Sequence, residues 1–195
     1  MLKRNGCRQQ KIKNSGKVDF FVGLFMVFVV SVVMLVCQQI SYFMIAGAYV
    51  EDAIAASNLA SAIIDVESYG KDRTLRIFDP QGAYEIYKEA LSVNLQLDED
   101  GRSFQRLLLD GPVQVEDYRI YNVIDDQVEI YVLGPNEKMQ SGGTCKKEDA
   151  VTPDGTKIET TTVYSKLKFS VPGFDVTSIS AKKEKSVDVK KNEEG

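Results

Sequence analysis

Between Phe20 and Val50 the chain carries no charged side chain, a run of 31 residues that is almost wholly apolar from Phe20 to Cys37. About 20 helical residues cross a bilayer core, so the run predicts a transmembrane helix and confines every other element to its two sides. A chain of 195 residues with 27% charged side chains is too polar for several spans. One anchored soluble domain is the architecture expected.

Charge divides at the same place. Lys3, Arg4, Arg8, Lys11, Lys13 and Lys17 give +6 before Val18 with no acid among them, which leaves 18 basic against 28 acidic residues beyond. By the positive-inside rule the N-terminal side is cytoplasmic and the acidic body extracytoplasmic. An acidic body without a basic stripe argues against nucleic acid as its partner. Two other readings of the run exist. Ala46-Gly47-Ala48 has the small-x-small form of a signal-peptidase site, and Met34-Leu35-Val36-Cys37 resembles a lipoprotein acceptor whose Val36 sits where a small residue is needed. Cys7 lies in the tail, Cys37 in the span and only Cys145 in the body, so no disulfide forms within the exported part. Cys145 is then a tolerated loop residue or pairs with another chain.

The helical pattern continues past the span. In "AGAYVEDAIAASNLASAIIDVESYG" apolar and small residues recur at threes and fours, and Gly70 is the expected C-cap. One helix from about Val18 to Ser68 is predicted, and its 51 residues would extend about 76 Å, of which hydrocarbon needs about 30 Å. Ala56 with Ala60, and Ser57 with Ser61, stand four apart with Ala53 one turn earlier, a spacing that lets helix backbones approach closely. Alanine is also simply the best helix former.

Asp79 as N-cap and Pro80 at the first helical position start a second helix, which ends near Leu95 and has Ala83, Ile86, Tyr87, Ala90 and Leu91 on one face. "TLRIF" before it reads as strand or connector, and "LDEDGRS" after it as an exposed break. "PVQVEDYRIYNV" and "QVEIYVL" form a hairpin around Asp125-Asp126. Residues 134–156, rich in glycine and proline, read as a long exposed loop. "KIETTTVYSKLKFSV" is a long strand, against which "FDVTSISA" and "KSVDV" pair back. The fold class expected is α+β: a long N-terminal helix, a short second helix and about four antiparallel strands, with the first helix covering one sheet face. The boundaries expected are a cytoplasmic leader over 1–17, a span over 18–45, a juxtamembrane helical extension over 46–70, an extracytoplasmic domain over 71–189 and a disordered tail over 190–195.

No histidine is present, so the commonest general base and metal ligand is missing, and no catalytic residue, cofactor or metal is expected. The carboxylate pairs Glu51-Asp52, Asp98-Glu99-Asp100 and Asp125-Asp126 read as solvated turns or helix starts. "DEDG" lacks the twelve-residue spacing of a calcium loop, and no glycine-rich phosphate cradle follows a strand. Tyr84, Tyr87, Tyr118, Tyr121 and Tyr131 are expected to fill a half-buried face with their hydroxyls reaching water, or to form a ligand platform.

The order of basic leader, Gly16, an acidic residue, apolar span, Ala-rich helix and small β-rich body resembles the TadE-like minor pseudopilins of tight-adherence pilus systems. "GKVDFFVGLFMVF", "YVEDAIAASNLASAII" and "VYSKLKFSVPGFDVTSISAKK" carry the resemblance, which covers most of the chain through short motifs. It implies a pilin-like fold, other pilin-like or secretion-platform subunits as partners and a possible homo-oligomer. It also implies a prepilin-peptidase cut after Gly16, with Asp19 as the acidic residue inside the apolar run. That cut leaves Asp19 at the third mature position, where prepilins usually carry glutamate at the fifth, so an uncleaved bitopic subunit is an equal expectation. Asp19 then either rests among headgroups beside Lys17 or meets a cation of a neighbouring subunit, which would fix register. The function expected is a membrane-anchored structural subunit of a pilus or secretion apparatus. The alternative is a membrane-tethered extracytoplasmic binding or sensing domain.

Overall fold

The computed structural model describes residues 7–63, 70–71, 75–105, 108–173 and 177–189, with the side chains of 7–17 outside the description. Two compact units make up the chain, residues 1–42 and 43–195. The elements are helix α1 (Cys7–Ser61), helix α2 (Pro80–Leu95) and strands β1 (Gln114–Ile124), β2 (Gln127–Leu133), β3 (Met139–Lys146), β4 (Thr162–Pro172) and β5 (Ser178–Asp188). The class is α+β, as the sequence predicts.

In the first unit α1 starts at Cys7, ahead of the expected Val18, so the basic leader from Cys7 onward is helical. Lys3 and Arg4 lie outside the described residues. From Val18 on the helix is long and apolar enough to cross a membrane. Side chains from Val18 to Tyr42 are exposed apart from half-buried Gln39. The hydroxyls of Ser31 and Ser41 donate to the carbonyls of Val27 and Cys37, so both hydroxyls are satisfied inside the helix, as an apolar surrounding requires.

In the second unit α1 closes at Ser61, earlier than expected. Gly70 is itself helical and so does not cap α1; residues 64–69 lie outside the described residues. Asp79, extended at φ −111° and ψ 91°, accepts the Gly82 amide at 3.0 Å and starts α2. A Cβ on Gly82 would stand 2.5 Å from the Asp79 carboxylate, so glycine there leaves room for the cap. Gln96 ends α2 in the left-handed region, its amide bonded to the Ser92 and Val93 carbonyls. Leu75 to Ile77 form a connector without regular structure, which settles "TLRIF" for its described part.

The sheet is antiparallel in the order β3-β2-β1-β4-β5. Five strands replace the four expected because β3 lies inside the segment read as a loop. Its sequence, MQSGGTCK, buries no side chain fully, so it lacks the apolar alternation that marks a strand. Backbone pairing to β2 holds it, with a bulge beside Gly143 at φ +101°. β5 is one strand of 11 residues instead of two pieces. Phe174, Asp175 and Val176 of the expected "FDVTSISA" strand lie outside the described residues, as does the tail over 190–195.

One sheet face, carrying Tyr118, Ile120, Val163, Leu167 and Phe169, packs on Ala46, Val50, Ala53 and Ile54 of α1 and on Tyr84, Tyr87, Leu91 and Leu95 of α2. The first helix is thus a cover of the sheet. Within the second unit, Tyr121, Val128 and Tyr164 form a second cluster with Ala150 and Ile158 of the β3–β4 connection. Tyr84, Tyr87, Tyr118 and Tyr121 are fully buried, not half-buried as expected. Tyr84 and Tyr87 stack and Tyr118 meets both at a tilt, with centroids 4.8 to 6.3 Å apart, which fills the space between α2 and β1.

Candidate functional site

The segment of α1 from Phe43 to Ser61 is the element with most to explain. Its inner face is unusually polar for a helix on a sheet: Ser57, Asn58 and Ser61 are all buried. Each is satisfied. The Asn58 carboxamide donates to the Lys185 carbonyl at 2.9 Å and accepts from Ser165 at 2.8 Å. Ser57 donates to the Ala53 carbonyl at 2.7 Å and accepts from Asn94 of α2 at 3.1 Å. Ser61 donates to the Asn58 carbonyl and accepts the Tyr118 hydroxyl at 3.0 Å. Burial of the Tyr118 phenol pushes its pKa up, eased in part by that bond. These bonds fix the rotation of α1 about its own axis, because a buried polar group that lost its partner would cost about 1–3 kcal/mol.

On the flank, Glu51 accepts from Lys185 at 2.8 Å and Lys183 at 3.2 Å. Those two bonds, Lys185 first, hold its carboxyl below the usual range. The Lys183 side chain also passes Gly47, where an added Cβ would stand 3.3 Å from its Cε.

The outer face is different. Ile45, Ala48, Asp52, Ala56, Leu59 and Ala60 are exposed, with Leu59 at 63%. Helix α2 provides the contrast within the same layer, for its exposed positions include Glu85, Lys88 and Glu89. An apolar helix face is normally covered, and this segment carries charge only at Glu51 and Asp52.

The small residues singled out from sequence therefore divide. Ala53, Ser57 and Ser61 face the chain's own core, while Ala56 and Ala60 face outward. Asp19 is exposed within α1, and Gly16 is part of the same helix. Asn58 was not foreseen; its signal was its place four residues after Ile54, beside the expected packing positions Ser57 and Ser61.

A second feature is an open cleft of about 730 Å³ beside the β2–β3 edge, where Lys146, Lys147 and Lys157 face Asp126, Glu148 and Glu159. The Thr160 hydroxyl on its wall is buried and lacks a hydrogen-bond partner among the described residues. Among the described residues no group of three acidic or cysteine side chains is placed to hold a metal ion. Asp98 of "DEDG" spends Oδ1 on the amides of Asp100 and Arg102 at 3.0 and 2.8 Å, which closes a tight turn. Cys145 is a free, half-buried thiol on β3.

No family model, curated protein or solved structure matches this chain.

Proposed function

We propose that the chain is a single-pass, membrane-anchored structural subunit of a pilus or type II/IV-type secretion apparatus, similar to the TadE-like pseudopilins, which assembles through its N-terminal helix. The observation that carries this reading is the exposed apolar face of α1 between Ile45 and Ala60, opposite a face locked to the sheet. The leader over 1–17 orients the span with its N-terminus in the cytoplasm, and the acidic body lies outside. Asp19 meets a cation on a neighbouring subunit, and Gly16 precedes a leader cut where one is made.

Intact-mass measurement of the membrane form tests the anchor. Full length or loss of the first 16 residues agrees with it, and loss of 48 residues overturns it. Chemical cross-linking in membranes should yield oligomers, and Asp19→Ala should insert normally while lowering their recovery; an unchanged ladder removes Asp19 from assembly.

A membrane-tethered binding domain is the second reading, favoured by the charged cleft and its unpartnered Thr160 hydroxyl. The tyrosines do not favour it, since four of the five candidates for a platform are buried. Saccharide or anion titration against the full chain, with Lys147→Glu as control, separates the two.

A further inference from the structure

Asp52 stands in the middle of the exposed apolar face of α1, with Ile45 and Ala48 before it and Ala56, Leu59 and Ala60 after it. It makes no hydrogen bond or ion pair among the described residues; the neighbouring Glu51 takes both flanking ammonium groups, and the Asp52 charge reaches Lys185 only through its field. The face is a ridge of small side chains, Ala48, Ala56 and Ala60, between the larger Ile45 and Leu59, which fits another helix laid alongside. A carboxylate in such a seam loses water when the seam closes and is tolerated only against a cation.

We propose that this face docks a parallel helix from a different membrane-anchored chain, one that carries a lysine or arginine level with Asp52. The proposal rests on the assembly reading above. A parallel course follows from anchoring, because both helices leave the same bilayer on the same side. A second copy of this chain does not meet the requirement. From Val18 to Ser61 α1 has no lysine or arginine, and aligned copies bring Asp52 against Asp52 and Glu51. Sliding a copy until Lys17 reached Asp52 would take 35 residues, about 52 Å of helix, and would abandon the apolar face altogether. A single charged position in an apolar seam selects the partner by what it rejects.

The test uses the full chain in membranes, with Cys7, Cys37 and Cys145 replaced by serine and Ala56→Cys as reporter, in two differently tagged forms. Oxidative cross-linking is then compared for native pairs, Asp52→Lys pairs and mixed pairs. Mixed pairs, which place a lysine against Asp52, should cross-link roughly tenfold more than either matched pair, since like charges in one interface are strongly disfavoured. Asp52→Asn should raise cross-linking of its own matched pair, and position 52 is exposed, so neither variant disturbs the core. Native pairs that cross-link as well as mixed ones make a second copy the partner and overturn the proposal while assembly stands. If no pairing cross-links, the face docks no helix. Moving the reporter to Ser31→Cys then distinguishes the failures: cross-links there keep helix-mediated assembly, and their absence overturns that reading also.

Discussion

Ser165 in the middle of β4 donates its hydroxyl to the Asn58 Oδ1 of α1 at 2.8 Å, across 107 positions of sequence and with both side chains buried. The same carboxamide donates to the Lys185 carbonyl on β5, so one side chain ties the helix to two strands. Asn58→Ala leaves a buried hydroxyl and a carbonyl without partners. A loss of about 2–4 kcal/mol is expected, read as a lower denaturation midpoint of the full chain in detergent with unchanged slope. Asn58→Leu should cost a similar amount, because an apolar side chain of the right size restores packing but satisfies neither partner.

Opposite faces of one helix should respond oppositely. Ile54 is fully buried against the sheet, and Ile54→Ala should destabilise by about 2–4 kcal/mol through lost transfer energy and a residual cavity. Leu59→Ala, on the outer face, should change stability by less than about 0.5 kcal/mol and yet reduce cross-linked complexes in membranes. A Leu59 variant as damaging to the monomer as the Ile54 variant would mean that the outer face belongs to the fold and has no partner to receive.

Much of this was legible. Asp79-Pro80 located the start of α2 and the alternation around Asp125-Asp126 located the β1–β2 hairpin, because cap and turn chemistry are local. β3 was not, since an edge strand with exposed side chains is held by backbone pairing that leaves no mark on side-chain order. The division of the alanines and serines was illegible for another reason. Ala56, Ser57, Ala60 and Ser61 are equally small, and only the sheet's position decides that Ser57 and Ser61 turn inward. Tyrosine burial was missed because a phenol's hydroxyl suggests a wet edge, whereas Ser61 supplied a partner inside.

Acid should weaken the fold through the β5 ion pairs. Glu51 is held below its ordinary value of 4.5 by Lys185 and Lys183, and Glu184 is lowered first by the Tyr164 hydroxyl and then by Lys166. A depressed folded-state pKa stabilises fully above the unfolded value and ceases to do so as pH falls through the folded one. The raised Lys185 stabilises below 10.5 and loses that contribution as pH rises through its folded value. The denaturation midpoint should thus be flat around neutrality, fall below the ordinary carboxylate range and fall again in strong alkali. Glu51→Gln should flatten the acid limb; a limb of unchanged slope would assign it to other carboxylates.

Gln96 occupies the left-handed C-cap of α2 at φ 52° and ψ 52°, where a side chain with a Cβ costs about 1 kcal/mol relative to glycine. Its side chain accepts a 3.4 Å bond from the Gln105 carboxamide at the surface. Gln96→Gly should therefore raise stability by about 0.5–1 kcal/mol. Thermal unfolding of the two chains side by side checks this, and a lower midpoint would show that the Gln105 contact outweighs the backbone strain.

Two tyrosines in one stack should respond differently to loss of their hydroxyls. Tyr118 donates to Ser61 at 3.0 Å, and Tyr118→Phe deprives a buried serine of its donor at about 1 kcal/mol. The Tyr87 hydroxyl is equally buried and has no hydrogen-bond partner among the described residues. Burial drives its pKa up; Ser165 faces it and eases that shift, but the Ser165 proton goes to Asn58. Tyr87→Phe removes a desolvated hydroxyl that returns nothing, so stability should be unchanged or rise by about 1 kcal/mol. Denaturant titration of the single and double variants checks both expectations. A Tyr87→Phe loss matching that of Tyr118→Phe would mean that its hydroxyl does bond Ser165, and the double variant would then report the coupling between the two halves of the stack.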